Sequence, residues 1–485
     1  MTGCDPGQLG VYGFRNRADY SYNNLSLATS RSVKEPRIWD LLNNSIPDSE
    51  TSDSGTLKSE TLDCYSIALG VPGTYPPTAI RGDMISGFLA PDTICNFTHP
   101  PELADEIRSV VGEYQIDVQN FRTDDKDRLL EEVISMTKKR FTLFRHLLQT
   151  RPWNFAIMVE MGIDRIHHGF WRYFDPQHRQ YELGNPYENV IRDYYRLIDS
   201  EIAETLKIIR GEQNQHEQIQ HEHNEYNRQN TTVMIVSDHG ARALEGGFAF
   251  NEWLIREGYL VLKEGARLSM SDSSDIQVDS SVESIPKRSP QKIPQRIPLE
   301  PSMIDWTQTR AWGEGGYYGR LFLNIRDREQ QGAVPQDEAE SLLTELKTRL
   351  TTLPDDLGQP MGNVVYRPAD TYKEEVNGIP PDLMVYFGNL AWRSIGTIEV
   401  IAPFTPSLYT PENDIGPDDA NHDWDGILIA AGDSIKVDED TNPQGRYIDN
   451  ANILDVAPTV LRILEQPVPS SMQGNVPSRF LEPDL

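Results

Sequence analysis

Five side chains in this sequence are of types that commonly bind metal ions, and they stand in three short motifs. Asp164 and His168 form the first group, Asp238 and His239 the second, and His422 the third. Two carboxylates and three imidazoles suit Zn²⁺, Mn²⁺ or Fe, and with no cysteine among them they favour a catalytic site with open positions over a closed structural one. Two ions about 3.5–4 Å apart could clamp the attacking and leaving oxygens of a phosphoryl transfer.

The first motif is DRIHH, residues 164–168, which directly follows the apolar run FAIMVEM. Asp164 and His168 are four residues apart, so one helical turn would place them on the same face, within reach of one cation. His167 would point elsewhere. By itself the motif fits equally well with Asp164 as a helix cap and His168 as an ordinary surface histidine.

The second motif is SDHG, residues 237–240, directly after the run TVMIVS. An acidic residue and an imidazole at a strand end, followed by glycine, predict a tight turn that aims both at a metal, and the glycine permits a close approach of the backbone to the ligand. A plain turn with Asp238 as a helix cap is the alternative. We favour the metal site, because the strand delivers the pair to the edge of the sheet where sites form.

The third motif is NHDWDG, residues 421–426, which leads into the run GILIAA. His422 is the candidate ligand, and Asp423 and Asp425 are interpreted as turn formers or as partners of the ligands. A polar loop of this kind could also be only a solvated turn. The three motifs together, in this order beside strands, indicate a metal site more strongly than any one of them.

Short apolar runs separated by helical patterns must position these motifs. We predict buried strands at 155–161, 232–237, 321–325, 383–387 and 426–431. Apolar residues at helical spacing predict helices around 130–148, 191–209 and 453–464. Strands alternating with helices indicate an α/β fold with a mainly parallel central sheet and helices on both faces.

Two polar segments interrupt this pattern, and the second lies within a larger insertion. We predict a core formed by residues 1–240 and 381–485, with residues 241–380 as a small cap over the site. Residues 211–230 and the Ser/Pro-rich loop 269–301 are predicted to be disordered. His216, His221 and His223 lie in the first of these segments, and we favour a solvated loop there over a metal site, which needs rigid surroundings.

The overall composition limits the classes of molecule that this protein can bind. A net charge of −29 argues against nucleic acid or an anionic membrane, but it allows a small phosphorylated substrate because bound metals reverse the local field. The three cysteines provide no disulfide framework. No apolar run is long enough to span a membrane, and the first residues lack a signal-peptide pattern, so we expect a cytoplasmic protein.

The order D-x-x-x-H, S-D-H-G and N-H-x-x-D-G resembles the alkaline phosphatase superfamily, and within it the type I phosphodiesterase/nucleotide pyrophosphatase branch. Residues 1–14, 71–89, 305–324 and 380–385 resemble stretches of microbial members of that branch, although Leu9 stands where a histidine is common. The resemblance implies an alkaline phosphatase-like fold and a hydrolase for phosphoric esters.

The resemblance also assigns roles to the candidate ligands. Asp164, His168 and His422 would hold one divalent ion, and Asp238 and His239 the other, with zinc favoured and manganese or iron as alternatives. The family's nucleophile is a Thr or Ser hydroxyl, preceded by an Asp on the first strand, in a segment that would lie ahead of Met1. Two explanations are open: a misplaced start codon or a fragment, which is the explanation we favour, and a real truncation that has removed activity. In either case we expect the chain as given to bind one metal ion well at best.

Other functions fit the same residues. A phosphomutase of the same superfamily would return the phosphoryl group to its substrate instead of to water. A sulfatase would need a modified Cys or Ser in the segment ahead of Met1, so it is less favoured. A catalytically inactive protein that binds metal or phosphate is the alternative from a different class.

Overall fold

The computed structural model describes residues 1–43, 64–211, 231–266, 296–372, 376–399, 407–411, 413–436, 447–477 and 481. The predicted disordered segment 211–230, with its three histidines, lies outside these residues apart from Gly211, and so does most of the loop 269–301. In the described part of the chain, no helix has both the length and the apolar character needed to cross a membrane.

Helices and strands alternate along the described chain. The α-helices are α1 Pro6–Leu9, α2 Ile38–Asn43, α3 Leu103–Val111, α4 Lys126–Thr150, α5 Gly162–Phe174, α6 Val190–Ile209, α7 Phe250–Arg256, α8 Ala339–Thr351, α9 Pro368–Thr371 and α10 Val456–Ile463. The strands are β1 Arg15–Arg17, β2 Leu25–Leu27, β3 Ser66–Val71, β4 Gly82–Ser86, β5 Thr98–His99, β6 Phe155–Met158, β7 Val233–Val236, β8 Gly240–Ala243, β9 Gly246–Ala249, β10 Arg296–Pro298, β11 Ala311–Glu314, β12 Gly319–Leu323, β13 Val364–Tyr366, β14 Leu383–Tyr386, β15 Trp392–Ile395, β16 Thr397–Glu399, β17 Tyr409–Thr410, β18 Ala420–Asp423 and β19 Leu428–Ala431.

The predicted α/β class is confirmed, and the three predicted helices are found as α4, α6 and α10. The strands form several small sheets. Parallel pairing joins β3 to β4, β3 to β6 and β9 to β15, and the remaining ladders among the described residues are antiparallel. A single, mainly parallel central sheet therefore stays a prediction.

Two predicted strands belong to an antiparallel sheet instead of a parallel one. The runs at 321–325 and 383–387 become β12 and β14, which lie in the order β11-β12-β14-β13. Short apolar runs do not reveal their direction, and here β12 pairs antiparallel with β14 although α8 lies between them in the chain. This sheet packs with α7 and α8 in a hydrophobic core that draws on residues 248–392. The boundaries predicted for the cap stay a prediction.

The helices behind the first motif have their own core. α4, α5 and α6 pack around a cluster that includes Leu129, Val133, Ile166, Phe170 and Tyr194. Each fully buried apolar side chain of this size stabilises the fold by about 1.5–3 kcal/mol. This core fixes the position of α5 through the face opposite to Asp164 and His168.

The prediction that the apolar runs form buried strands is wrong for β7 and β19. These two strands pair only with each other among the described residues, and Val236 and Ile429 are 37% and 55% exposed. One side of the pair packs on Ile435 and Leu481. The other side has no covering layer in the described chain.

The end of the predicted loop 269–301 is ordered. Arg296–Pro298 forms β10, which pairs antiparallel with β16. Ile297 packs in a small apolar cluster, and the Arg296 guanidinium lies 3.2 Å from the Glu399 carboxylate. The prediction of disorder is therefore wrong for these residues, because proline and basic residues here pair with a strand that lies far along the chain.

Candidate metal centre

The turn between β6 and α5 fixes where the first motif begins. The Glu160 carboxylate accepts the backbone N–H of Gly162 at 2.6 Å and the hydroxyls of Thr137 and Tyr194 at 3.0 Å each. A Cβ on Gly162 would lie 1.8 Å from the Tyr194 hydroxyl, so only glycine allows α6 to come this close. The start of α5 is thus held by α4 and α6.

α5 then places Asp164 and His168 on one face, one turn apart, as the spacing predicted. The His168 side chain is 1% exposed and the Asp164 side chain 21%. His168 is therefore no surface histidine. His167 points away, and its Nε2 lies 3.1 Å from the Tyr195 hydroxyl on α6.

The second and third motifs lie side by side through antiparallel ladders. β7 pairs with β19, and β8 pairs with β18, with His422 opposite Ala241. His422 thus lies in a strand and not in the predicted loop. Gly240 allows a close approach to the third motif, because a Cβ there would lie 2.2 Å from the carbonyl oxygen of Asp425. The predicted approach of its backbone to a ligand stays a prediction.

Three of the five predicted ligands converge. The Asp164 Oδ1 atom lies 3.4 Å from His168 Nε2 and 3.5 Å from His422 Nε2. A tetrahedral zinc ion with bonds of about 2.0–2.1 Å has ligand atoms about 3.3 Å apart. One carboxylate and two imidazoles at these separations therefore fit a catalytic zinc-type site with an open position. Within the described residues they are the one group of three such side chains that lies close enough to share an ion.

The three residues shift the pKa values of one another, and each shift has a distinct cause. Burial alone would raise the pKa of Asp164, but His168, His422 and Arg165 outweigh it and hold this pKa well below its usual range. Burial lowers the pKa of His422, against the opposing effect of Asp164. Burial would lower the pKa of His168, but Asp418, Tyr317 and Asp164 outweigh it and raise this pKa well above its usual range. A metal ion that binds here would therefore displace a proton from His168, whereas Asp164 is already ionised.

The other two predicted ligands are only partly brought to this cluster. The His239 ring stacks on the ring of His422, and its Nδ1 donates to the Gly240 carbonyl at 2.8 Å, which leaves Nε2 free. The Asp238 carboxylate lies 3.7 Å from His239 Nε2, and its side chain is 81% exposed. The pair forms an open, two-ligand position beside the first three residues.

Two further residues at the site were missed from the sequence. Asp418 accepts a hydrogen bond from His168 Nδ1 at 2.6 Å, and its side chain is fully buried. The Tyr317 ring stacks on His422 with centroids 4.0 Å apart. Asp418 lies four residues before His422, and Tyr317 stands in the stretch 305–324, but neither spacing carries a metal-ligand signal.

Comparison with known proteins gives one match. The family model described as type I phosphodiesterase / nucleotide pyrophosphatase matches residues 1–417 of this chain. No curated protein and no solved structure matches it. The matched range includes Asp164, His168, Asp238 and His239, and it ends shortly before His422.

Proposed function

We propose that this chain, which belongs to the type I phosphodiesterase / nucleotide pyrophosphatase family, acts as a metal-dependent hydrolase of phosphoester bonds in a small phosphorylated substrate. The observation that carries the proposal is the convergence of Asp164, His168 and His422, whose ligand atoms all lie within 4.8 Å of one another. Family membership supports the reaction class, and this cluster supports its dependence on a metal.

In this proposal each residue has a defined task. Asp164 supplies negative charge, while His168 and His422 each present Nε2 towards it. A divalent ion bound there would polarise a phosphoryl oxygen and neutralise charge that builds up on it. Asp238 and His239 would hold a second ion in the open position beside His422. Zinc is the favoured metal, with manganese or iron as alternatives.

The nucleophile belongs to the part of the proposal that rests on resemblance. A Thr or Ser hydroxyl, in a segment expected ahead of Met1, would attack phosphorus and form a covalent intermediate that water then hydrolyses. We therefore expect Asp164, His168 and His422 to bind metal independently of that hydroxyl, and turnover to require it.

Metal binding is tested by calorimetric titration of the purified chain with Zn²⁺. Asp164→Asn should weaken binding by more than about 100-fold, because it removes a direct ligand and not only a supporting partner. Asp199→Asn, which alters an exposed carboxylate on α6, is the matched control and should bind as the wild type does. Equal affinity of the wild type and Asp164→Asn would overturn the metal site.

Turnover is tested with a chromogenic phosphodiester and a protein that carries the proposed hydroxyl. His422→Ala and Asp238→Ala should each abolish hydrolysis while the circular dichroism spectrum stays unchanged. Release of inorganic phosphate from a phosphomonoester would separate a hydrolase from a phosphomutase. Metal binding without any turnover would instead favour the catalytically inactive metal-binding protein.

A further inference from the structure

Asp418 is a fully buried carboxylate surrounded by hydrogen-bond donors. Its Oδ1 accepts His168 Nδ1 at 2.6 Å. Its Oδ2 accepts Arg122 Nε at 2.7 Å, Asn413 Nδ2 at 3.1 Å and Arg393 Nη1 at 3.3 Å. Three donors on one oxygen fix the plane of the carboxylate, so the other oxygen is held in one direction, towards the imidazole.

The contacts of the Asp418 carboxylate with His168, Arg122 and Arg393 compensate for its burial. A buried carboxylate without partners would take up a proton. Arg122 and Arg393 contact Oδ2 whereas His168 contacts Oδ1, and each arginine is itself largely buried. Asp418 can therefore act as a permanent acceptor for the Nδ1–H of the imidazole.

The hydrogen bond decides which ring nitrogen of His168 faces the ligand cluster. In the neutral ring, the form that binds a metal, donation of Nδ1–H to Asp418 leaves the lone pair on Nε2, and Nε2 is the atom that lies 3.4 Å from Asp164 Oδ1. Carboxylates that accept from the second nitrogen of a ligating histidine orient the ring and raise its basicity. We infer that Asp418 is a positioning residue, which sets the tautomer and orientation of His168 for metal binding.

The segment that contains Asp418 also carries a second proposed metal ligand. The backbone N–H of Asp419 donates to the His168 carbonyl at 2.9 Å, so the segment and α5 are also joined through the main chain. Four residues after Asp418 the same segment supplies His422. One short stretch thus both orients one ligand and provides another, and this inference rests on the metal site proposed above.

Paired variants test the inference. Asp418→Asn nearly keeps the shape of the side chain but loses its charge, and we expect Zn²⁺ affinity to fall by about 10- to 100-fold. Asp419→Asn is the matched control, since Asp419 is equally buried but its side chain pairs with Arg172 and not with a proposed ligand. The control should bind Zn²⁺ within about 3-fold of the wild type, in calorimetric titrations at pH 7.

The outcomes separate this inference from the proposed function. Asp418→Asn binding like the wild type, while Asp164→Asn does not bind, would overturn the role of Asp418 and leave the metal site standing. A wild-type chain that binds no divalent ion would overturn both. A loss that is equal in Asp418→Asn and Asp419→Asn would show a general effect on packing and overturn the positioning role.

A second measurement needs no variant and covers the case in which Asp418→Asn does not fold. The wild-type chain is labelled with ¹⁵N-histidine and loaded with ¹¹³Cd²⁺. We expect the spin coupling to cadmium at Nε2 of His168, and a proton on its Nδ1. Coupling at Nδ1 instead would overturn the inference.

Discussion

The imidazole rings of His239 and His422 lie face to face, with centroids 3.7 Å apart and planes only 16° from parallel. The contact follows from the ladder between β8 and β18, because β8 begins directly after His239 and pairs Ala241 with His422. Two motifs that lie far apart in the sequence are therefore in direct contact. Asp238 does not follow His239 into the cluster, since its side chain is largely exposed.

The number of tightly bound metal ions follows from this arrangement. The chain should bind one Zn²⁺ per molecule tightly, at Asp164, His168 and His422, because His239 and Asp238 together supply only two further ligands. Asp238→Asn should leave the tight site within about 3-fold of its original affinity, a change of less than about 1 kcal/mol. Equilibrium dialysis with elemental analysis measures both the number of bound ions and their affinity. Two ions of equal affinity would contradict the prediction.

The ring of Tyr317 should stabilise the orientation of His422. It lies between His422, at 4.0 Å, and the Arg393 guanidinium, at 4.4 Å. Aromatic stacking of this kind contributes about 0.5–1.5 kcal/mol, so Tyr317→Leu should weaken Zn²⁺ binding by about 2- to 10-fold.

Tyr317→Phe is the control for that prediction. It keeps the stacked ring and removes only the hydroxyl, which accepts a hydrogen bond from Arg122 at 3.1 Å. We expect its Zn²⁺ affinity to stay close to that of the wild type in the same titration. Equal losses of Zn²⁺ affinity in Tyr317→Phe and Tyr317→Leu would show that the hydroxyl, and not the ring, supports the site.

Gly240 should be required for the contact between the second and third motifs. A Cβ at this position would lie 2.2 Å from the backbone oxygen of Asp425, so Gly240→Ala must push the two segments apart. Overpacking of this kind costs about 1–3 kcal/mol. We expect a lower free energy of unfolding in urea and weaker Zn²⁺ binding, because His422 lies on the displaced segment.

The control for Gly240 is another glycine without a steric conflict. The nearest atom to a Cβ on Gly396 would be 3.5 Å away, at ordinary contact distance. Gly396→Ala should therefore change neither stability by more than about 0.5 kcal/mol nor metal affinity. If Gly240→Ala behaves like Gly396→Ala, the close approach is not needed for the site.

The parts of the site that depend on local geometry could be predicted from the sequence. Asp164 and His168 share a face because a spacing of four matches a helical turn, and α4 and α6 were recognised by their long apolar periodicity. The roles of Asp418 and Tyr317 could not be predicted in this way. Each contacts its histidine through a fold that brings distant segments together, and an Asp or Tyr in a loop carries no periodic signal.

The pairing of the strands, like the roles of Asp418 and Tyr317, could not be predicted from local sequence patterns. Apolar runs predicted where β7, β12, β14 and β19 lie, but their direction and burial depend on partners elsewhere in the chain. The antiparallel ladder between β8 and β18 had no sequence signal at all, since Ala420–Asp423 is polar and was interpreted as a loop. That ladder places His422 beside the second motif, and the hydrogen bond from the Asp419 N–H to the His168 carbonyl joins the same segment to α5, which carries Asp164.

Asp419 makes the stability of the chain depend on pH. Burial, opposed by Arg172 and Lys126, raises the pKa of Asp419 from 3.8 to about 6. Between about pH 4 and 6 the folded chain therefore holds a proton that the unfolded chain has released, and stability contributed by this group falls as the pH rises. At about 1.4 kcal/mol per pKa unit, the loss amounts to about 3 kcal/mol.

Asp419→Asn removes this titration and isolates its effect, because every other group stays the same in both proteins. The free energy of unfolding of the wild type minus that of the variant should fall by about 2–2.5 kcal/mol from pH 4 to pH 7, with little further change above pH 7. Urea unfolding of the metal-free proteins, monitored by tryptophan fluorescence at several pH values, measures the difference. A difference that rises with pH would mean that Arg172 lowers the pKa of Asp419 by more than burial raises it.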